Sequence, residues 1–111
     1  MRQGEIWLVG LDPTLGSEMQ KTRPCVVLSS DAVGILPLKI VAPFTDFKPH
    51  YADVPWMVFV ANTPKNGLKK PSSIDLFQVR SVSTKRLVAK LGEISSAEMI
   101  ACKEAMMTVF E

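Results

Sequence analysis

Helical periodicity occurs once in this chain, at its C-terminal end, and that confinement restricts the fold more than any other feature. Ser95-Ser96-Ala97-Glu98 has the form of a capping box, a serine followed by a glutamate that can bond back to the cap's N–H. Met99, Cys102, Met106 and Phe110, with Val109 beside them, then recur at spacings of three and four. Residues 96–110 are therefore expected to form an amphipathic helix packed on a sheet. Upstream the apolar runs are short and bounded by Pro, Gly, Asp and Ser. Strands are expected at 4–9 (GEIWLV), 24–30 (PCVVLSS), 38–44 (LKIVAPF), 56–61 (WMVFVA) and 73–79 (SIDLFQV). A turn at 83–86 leads into RLVAKLGEI, a further short strand ending near Gly92. Five or six short strands closed by one helix describe a small, strongly bent, mostly antiparallel sheet or open barrel.

The connections are informative as well. Asp12-Pro13 and Gly16 make residues 10–21 an extended loop, long for a link between neighbouring strands. Pro24 stands at the first position of the second strand, where a missing N–H is tolerated. Pro43 implies that the third strand bulges or leaves its ladder just before Thr45. Residues 62–72 read as a loop whose long side chains are Leu68 and Lys65, Lys69 and Lys70. Such lysines suit either a solvated loop or a mobile basic segment beside a polyanion. No internal repeat, low-complexity tract or linker divides the 111 residues, so one domain spanning 1–111 is expected.

Composition removes several function classes. With 47% hydrophobic and 22% charged residues the chain is an ordinary globular mixture, and a net charge of +2 makes no case for nucleic acid by itself. Cys25 and Cys102 each lie in an apolar run, which favours buried thiols over a disulfide and fits a reducing cytoplasm. The N-terminal MRQGEIW does not read as a signal peptide, and no run approaches the ~20 apolar residues of a membrane span. One histidine, His50, and no Cys-x-x-Cys leave no convincing zinc site, and no glycine-rich phosphate loop precedes a helix. No metal and no cofactor is expected.

The strand GEIWLV, the loop DPTLGSE, the turn KTRP and the strand VVLSSD follow one another in an order and spacing that resemble the N-terminal signature of the MazF/PemK/Kid toxins. LKIVAPFT, the run QVRSVSTKRL and the single C-terminal helix match that family too, so the resemblance covers essentially the whole chain and is weakest at 46–72. It implies a small SH3-like, CcdB-like barrel and a homodimer. It also implies a metal-independent, sequence-specific endoribonuclease that cuts single-stranded RNA and is held inactive by a cognate antitoxin. Cleavage in this family proceeds by attack of the ribose 2′-hydroxyl on the adjacent phosphate, leaving a 2′,3′-cyclic phosphate and a 5′-hydroxyl. In the MazF branch an arginine of the R-P turn and a threonine after the third strand carry the chemistry, which here places the catalytic roles on Arg23 and Thr45. Ser17, Glu18, Thr22, Gln78 and Arg80 are the candidate RNA-binding residues. The Kid-type constellation is missing: its places hold Ser17, Asp75 and Phe77. Met19-Gln20 also departs from the usual pair after GSE.

Elementary chemistry agrees with these assignments. In-line attack on phosphate develops negative charge on the non-bridging oxygens, and a guanidinium presents several N–H donors in one plane to that charge. A guanidinium holds its proton too firmly to be a good shuttle, so the arginine suits an electrostatic clamp better. A threonine hydroxyl can add one further donor. Glu18 could fix Arg23, meet a base edge, or simply order its own loop, and Arg80 could contact phosphate or form a structural ion pair. A different reading is a CcdB-like toxin that binds DNA gyrase without a nuclease site; the C-terminal MMTVFE lacks the Trp-Gly-Ile end of that protein.

Overall fold

Both faces of strand β2 (Thr22–Val27) are covered, which accounts for its unbroken apolar run. In the computed structural model, which describes residues 1–111, Val26 enters one core while Cys25 and Val27 enter a second on the opposite face. β2 pairs antiparallel with β1 (Glu5–Gly10) on one side and β3 (Leu38–Asp46) on the other. β1 continues to β7 (Leu87–Glu93) through two register shifts, between Ile6 and Trp7 and between Leu8 and Val9. Such irregularities increase local twist and bend the sheet. The path β4 (Met57–Val60), β5 (Ser72–Asp75), β3, β2, β1, β7 is open at both ends.

The decisive strand is β3. Its Val41–Pro43 segment pairs with β2, and its other edge takes two partners in succession: β6 (Arg80–Ser83) along Leu38–Val41 and β5 (Ser72–Asp75) along Phe44–Asp46. β4 (Met57–Val60) pairs with β5 and ends the sheet. Between the pairs Phe44↔Ile74 and Val41↔Arg80, residues 75–79 stand opposite only 42–43. The surplus is taken up by a single 3-10 turn, Leu76–Gln78, capped by the Asp75 carboxylate, which accepts the Phe77 N–H at 3.0 Å. The expected 73–79 strand is therefore the short β5 followed by a 3-10 turn, β6 at Arg80–Ser83 is a further strand beyond the expected range, and the sheet has seven strands rather than five or six. Alternation fails at Leu76-Phe77 because those residues leave the ladder.

Helix α1 (Ser96–Phe110) begins with the expected capping box: Glu98 N–H to Ser95 Oγ at 3.1 Å and Ser95 N–H to Glu98 Oε1 at 2.8 Å. Cys102 and Ala105 seal the first core against Ile6, Val26, Phe44, Val58, Val60 and Ile74, with Met99 and Met106 half-buried at its margin. Phe110, expected on the same face, is instead 73% exposed. The second core has no helix; Val9, Leu11, Cys25, Val27, Val41, Val82 and Leu87 close it by curvature of the sheet. Both cysteines are free and buried, and burial pushes each thiol up to about 12. No helix is long and apolar enough to cross a membrane.

The 62–72 loop is anchored by hydrogen bonds while Lys65 and Lys70 stay solvent-exposed, in line with the solvated-loop reading. Buried Asn66 accepts the Thr63 and Leu68 N–H groups at 3.0 Å each and donates to the Ala61 carbonyl at 2.8 Å. Gly67 and Gly92 let this loop lie directly on β7: a Cβ on Gly67 would collide with the Leu91 carbonyl, and one on Gly92 with the backbone of Lys65 and Asn66. Gly92→Ala is expected to destabilise the protein by more than about 2 kcal/mol in thermal melts, since the obstruction is backbone and cannot rotate away.

A second stability element is Glu5. Its carboxylate is 10% exposed and accepts from the Trp7 indole at 3.0 Å and the Arg2 N–H at 2.9 Å, with Lys90 Nζ at 3.0 Å. Burial by itself would raise this carboxyl, but these hydrogen bonds and the Lys90 charge outweigh it and bring it from 4.5 down to about 2. A depressed acid stabilises the fold above its unfolded value and loses that contribution as pH falls through the folded one. Stability is thus expected to fall by about 3 kcal/mol between pH 4.5 and pH 2. Glu5→Gln should flatten that limb of a stability–pH curve measured by urea denaturation.

Candidate functional site

The register of β2 and β3 brings Arg23 and Thr45 toward one another. Arg23 lies inside β2, one residue into it and opposite Val9, rather than in the turn before it. On the β2–β3 ladder Cys25 faces Pro43, so the next same-face positions are Arg23 and Thr45. The ladder parts there: β3 leaves β2 after Pro43 and continues on β5, with Thr45 opposite Ser73. The gap between the diverging strands is a cavity of about 320 Å³ that both Arg23 and Thr45 line. Lys69, Lys70 and Asp46 line it too, and Lys70 Nζ pairs with the Asp46 carboxylate at 3.0 Å. Three cations against one carboxylate make this cavity a place for an anion.

Arg23 is half-buried, and its Nε donates to the Gln20 carbonyl at 3.1 Å. That bond fixes the plane of the guanidinium from the strand end of the loop while both terminal nitrogens stay free of partners in the chain. Arg23 and Arg80 are both close enough to Cys25 to act on its thiol, although burial dominates there. Arg80 pairs across from Val41, so its guanidinium belongs to the same face of the sheet as Arg23.

A second depression, of about 470 Å³, shares no lining residue with the first; β3 contributes Pro43 to the larger and Phe44, Thr45 and Asp46 to the smaller. Ser17, Glu18 and Met19 form one wall, and Phe77, Gln78, Val79 and Arg80 the other, over Leu11 and Pro43. Gln78 crosses it, its Oε1 accepting the Met19 N–H at 2.6 Å and its Nε2 donating to the Ser17 carbonyl at 3.3 Å. Arg80 Nη1 donates to the Leu11 carbonyl at 3.0 Å. Arg86 makes the same kind of contact to the Gly10 carbonyl at 3.0 Å and also to the Asp12 carbonyl. Three side chains from 78–86 therefore tie down the long 11–21 loop, whose base closes with the Leu11 N–H on the Lys21 carbonyl at 2.9 Å. Lys21 adopts a positive φ of 68° at this re-entry, an unfavourable conformation for a side chain-bearing residue.

The expected site residues are thus divided. Arg23 and Thr45 share the smaller cavity; Ser17, Glu18, Gln78 and Arg80 share the larger one. Thr22, exposed and paired with Gly10, lines neither. Glu18 does not hydrogen-bond Arg23; its Oε1 accepts the Leu15 N–H at 2.6 Å, so it orders its own loop. Arg80 forms no ion pair; its Nη1 is bonded to main chain, and its other guanidinium nitrogens have no partner in the chain. Arg86 and the exposed Phe77 were not among the expected site residues, because STKR reads as a turn and LFQ as strand.

The family model described as PemK-like, MazF-like toxin of type II toxin–antitoxin system matches residues 2–110. The chain belongs to this family. Endoribonuclease MazF9 of Mycobacterium tuberculosis is 36% identical over 96% of this chain and 92% of its own length. Endoribonuclease MazF of Staphylococcus epidermidis is 36% identical over 96% of this chain and 88% of its own. Among solved structures, MazF from Deinococcus radiodurans superposes with a TM-score of 0.82 at 20% identity, covering 99% of this chain and 96% of that one.

Ser17 and Phe77 stand on facing walls of the larger depression. Asp75 beside it is buried, and burial raises its carboxyl against the opposing hydrogen bonds from Phe77 and Gln78. No group of three His, Cys, Asp or Glu side chains is arranged to hold a metal ion. Because both ends of the Gln78 amide serve the 17–19 loop, Gln78→Ala should cost about 1 kcal/mol and abolish amide-exchange protection at Met19. Protection of the β1 amides, which pair in the sheet, should be unchanged.

Proposed function

We propose that this protein is the toxin of a type II toxin–antitoxin pair and an endoribonuclease that cuts single-stranded RNA within the paired depressions. The observation that carries this reading is the meeting of Arg23 and Thr45 on one cavity with Lys69 and Lys70, in a chain of the MazF family. The scissile phosphate occupies the smaller cavity and the flanking nucleotides follow the larger one past Phe77 and Arg80. Attack of the 2′-oxygen on phosphorus forms the new O–P bond and breaks the bond to the 5′-oxygen of the next nucleotide; the proton leaving the 2′-hydroxyl passes through water to that 5′-oxygen, so the products are a 2′,3′-cyclic phosphate and a 5′-hydroxyl, with no net water consumed.

Arg23 acts as an electrostatic clamp. Its Nε is already committed to Gln20, and the two terminal nitrogens form the planar fork that suits two phosphate oxygens at once. Thr45 adds a hydroxyl donor from the opposite strand. Preorganised donors of this kind are each worth a factor of about 10² to 10³ in rate. The protein acts as a homodimer in the cytoplasm and is restrained by a cognate antitoxin whose acidic, disordered segment competes with RNA for the basic groove.

Incubating the purified protein with a long RNA in EDTA, beside Arg23→Ala and Thr45→Ala, tests this directly. The wild type should cut at defined sites, and Arg23→Ala should be slower by at least about 10²-fold. Loss of cutting in EDTA, or a mutant as active as the wild type, would exclude the mechanism. Growth arrest with intact RNA would instead favour a gyrase-binding toxin.

A further inference from the structure

Ser73 Oγ is the one buried side-chain nitrogen or oxygen in the chain without a hydrogen-bond partner. A hydroxyl left in that condition costs free energy, and a buried alanine would not incur it. Its position in the ladder is specific. Ser73 pairs directly with Thr45 on β3 and with Phe59 on β4, so the three side chains form one row on one face of the sheet. Directly opposed residues hold their Cβ atoms ~4.5–5.5 Å apart, within reach of a hydroxyl–hydroxyl hydrogen bond. Thr45 lines the anion cavity, whereas Ser73 is 1% exposed and lines no cavity.

We infer that Ser73 is a positioning residue for Thr45: its buried hydroxyl donates to Thr45 Oγ1 when substrate is bound, directing the Thr45 hydrogen at the phosphate. This rests on the reading of Thr45 as a phosphate donor given above. A threonine hydroxyl rotates freely in the empty cavity and can offer its hydrogen in any staggered direction. A donor behind it occupies one lone pair and leaves the hydrogen to point forward, into the cavity. The chain of bonds runs from Ser73 Oγ–H to Thr45 Oγ1 and from Thr45 Oγ1–H to a non-bridging oxygen. Such bonds tighten only in the complex with substrate, in keeping with the lack of any Ser73 partner in the free protein. Burial excludes Ser73 from touching RNA itself and keeps water from replacing Thr45 as its acceptor.

The signature is opposite movement of activity and stability. Ser73→Ala should slow single-turnover cleavage at saturating RNA by about 3- to 10-fold, the worth of one neutral hydrogen bond, with RNA affinity unchanged. Its melting temperature should stay level or rise, because the unpaired hydroxyl is gone. In a Thr45→Ala background the same substitution should have no further effect on rate. Wild-type rates for Ser73→Ala, an equal slowing in the Thr45→Ala background, or a slowing that tracks a lowered melting temperature would each overturn the inference. If Thr45→Ala itself cleaves normally, the reading of Thr45 fails, and this inference fails with it. If Thr45→Ala is slowed while Ser73→Ala cleaves at the wild-type rate, the fault lies with Ser73 alone.

Discussion

The departure of β3 from β2 at Pro43 is the constraint on which the rest of the structure depends. A proline has no N–H for a ladder, so it sits where pairing ends or changes partner. Before it, β3 is a central strand between β2 and β6; after it, β3 belongs to β5. The same change of partner requires slack on the other side, and residues 75–79 provide it as a single 3-10 turn. One local event therefore opens the cavity between Arg23 and Thr45 and raises Phe77 and Gln78 beside the neighbouring depression. A sheet that stayed paired through Thr45 would close the first and flatten the second.

The long β1–β2 loop is tied down by main-chain acceptors rather than by a core of its own. Arg80 and Arg86 reach the carbonyls of Leu11, Gly10 and Asp12, and Gln78 reaches both Ser17 and Met19. A charged donor to a carbonyl is stronger than a neutral one and cannot be lost by deprotonation near neutral pH. Leu11 supplies the apolar anchor, 1% exposed in the second core. The loop can thus project Ser17 and Glu18 at the depression without the chain between having to bury anything else.

Much of this was legible in the residues. The capping box and the three-four spacing located α1 to within a residue, because both are local signals. Pro43 announced a strand leaving its ladder, and Asp12-Pro13 with Gly16 announced a long loop. What was not legible depends on register between distant segments. SIDLFQV reads as one strand because Ile74 and Leu76 are apolar and buried, yet only the mismatch against Ala42-Pro43 shows that the ladder breaks between them. For the same reason Thr45 could be assigned only by resemblance, whereas the pairing now gives it a neighbour in Ser73. Arg86 is not assignable from sequence because nothing in STKR tells which carbonyls its side chain will meet, and nothing in 62–72 tells that Asn66, Gly67 and Gly92 anchor the loop of Lys65, Lys69 and Lys70 on β7.

The arginines divide by which nitrogens they commit. Arg80 and Arg86 place Nη1 on carbonyl oxygens, so the fork that would grip a phosphate is already engaged at its tip. Arg23 is held through Nε instead, which fixes the direction of the side chain and leaves the fork free. An arginine anchored in this way has lost most of its rotamer freedom before substrate arrives, so little ordering remains to be done in the transition state. Lysine at position 23 would keep the charge and lose the arrangement. It has no equivalent of Nε, so the same three donors would have to serve both the Gln20 carbonyl and the phosphate. The site therefore depends on a guanidinium at the start of β2, and the neighbouring lysines, Lys69 and Lys70, contribute field rather than geometry.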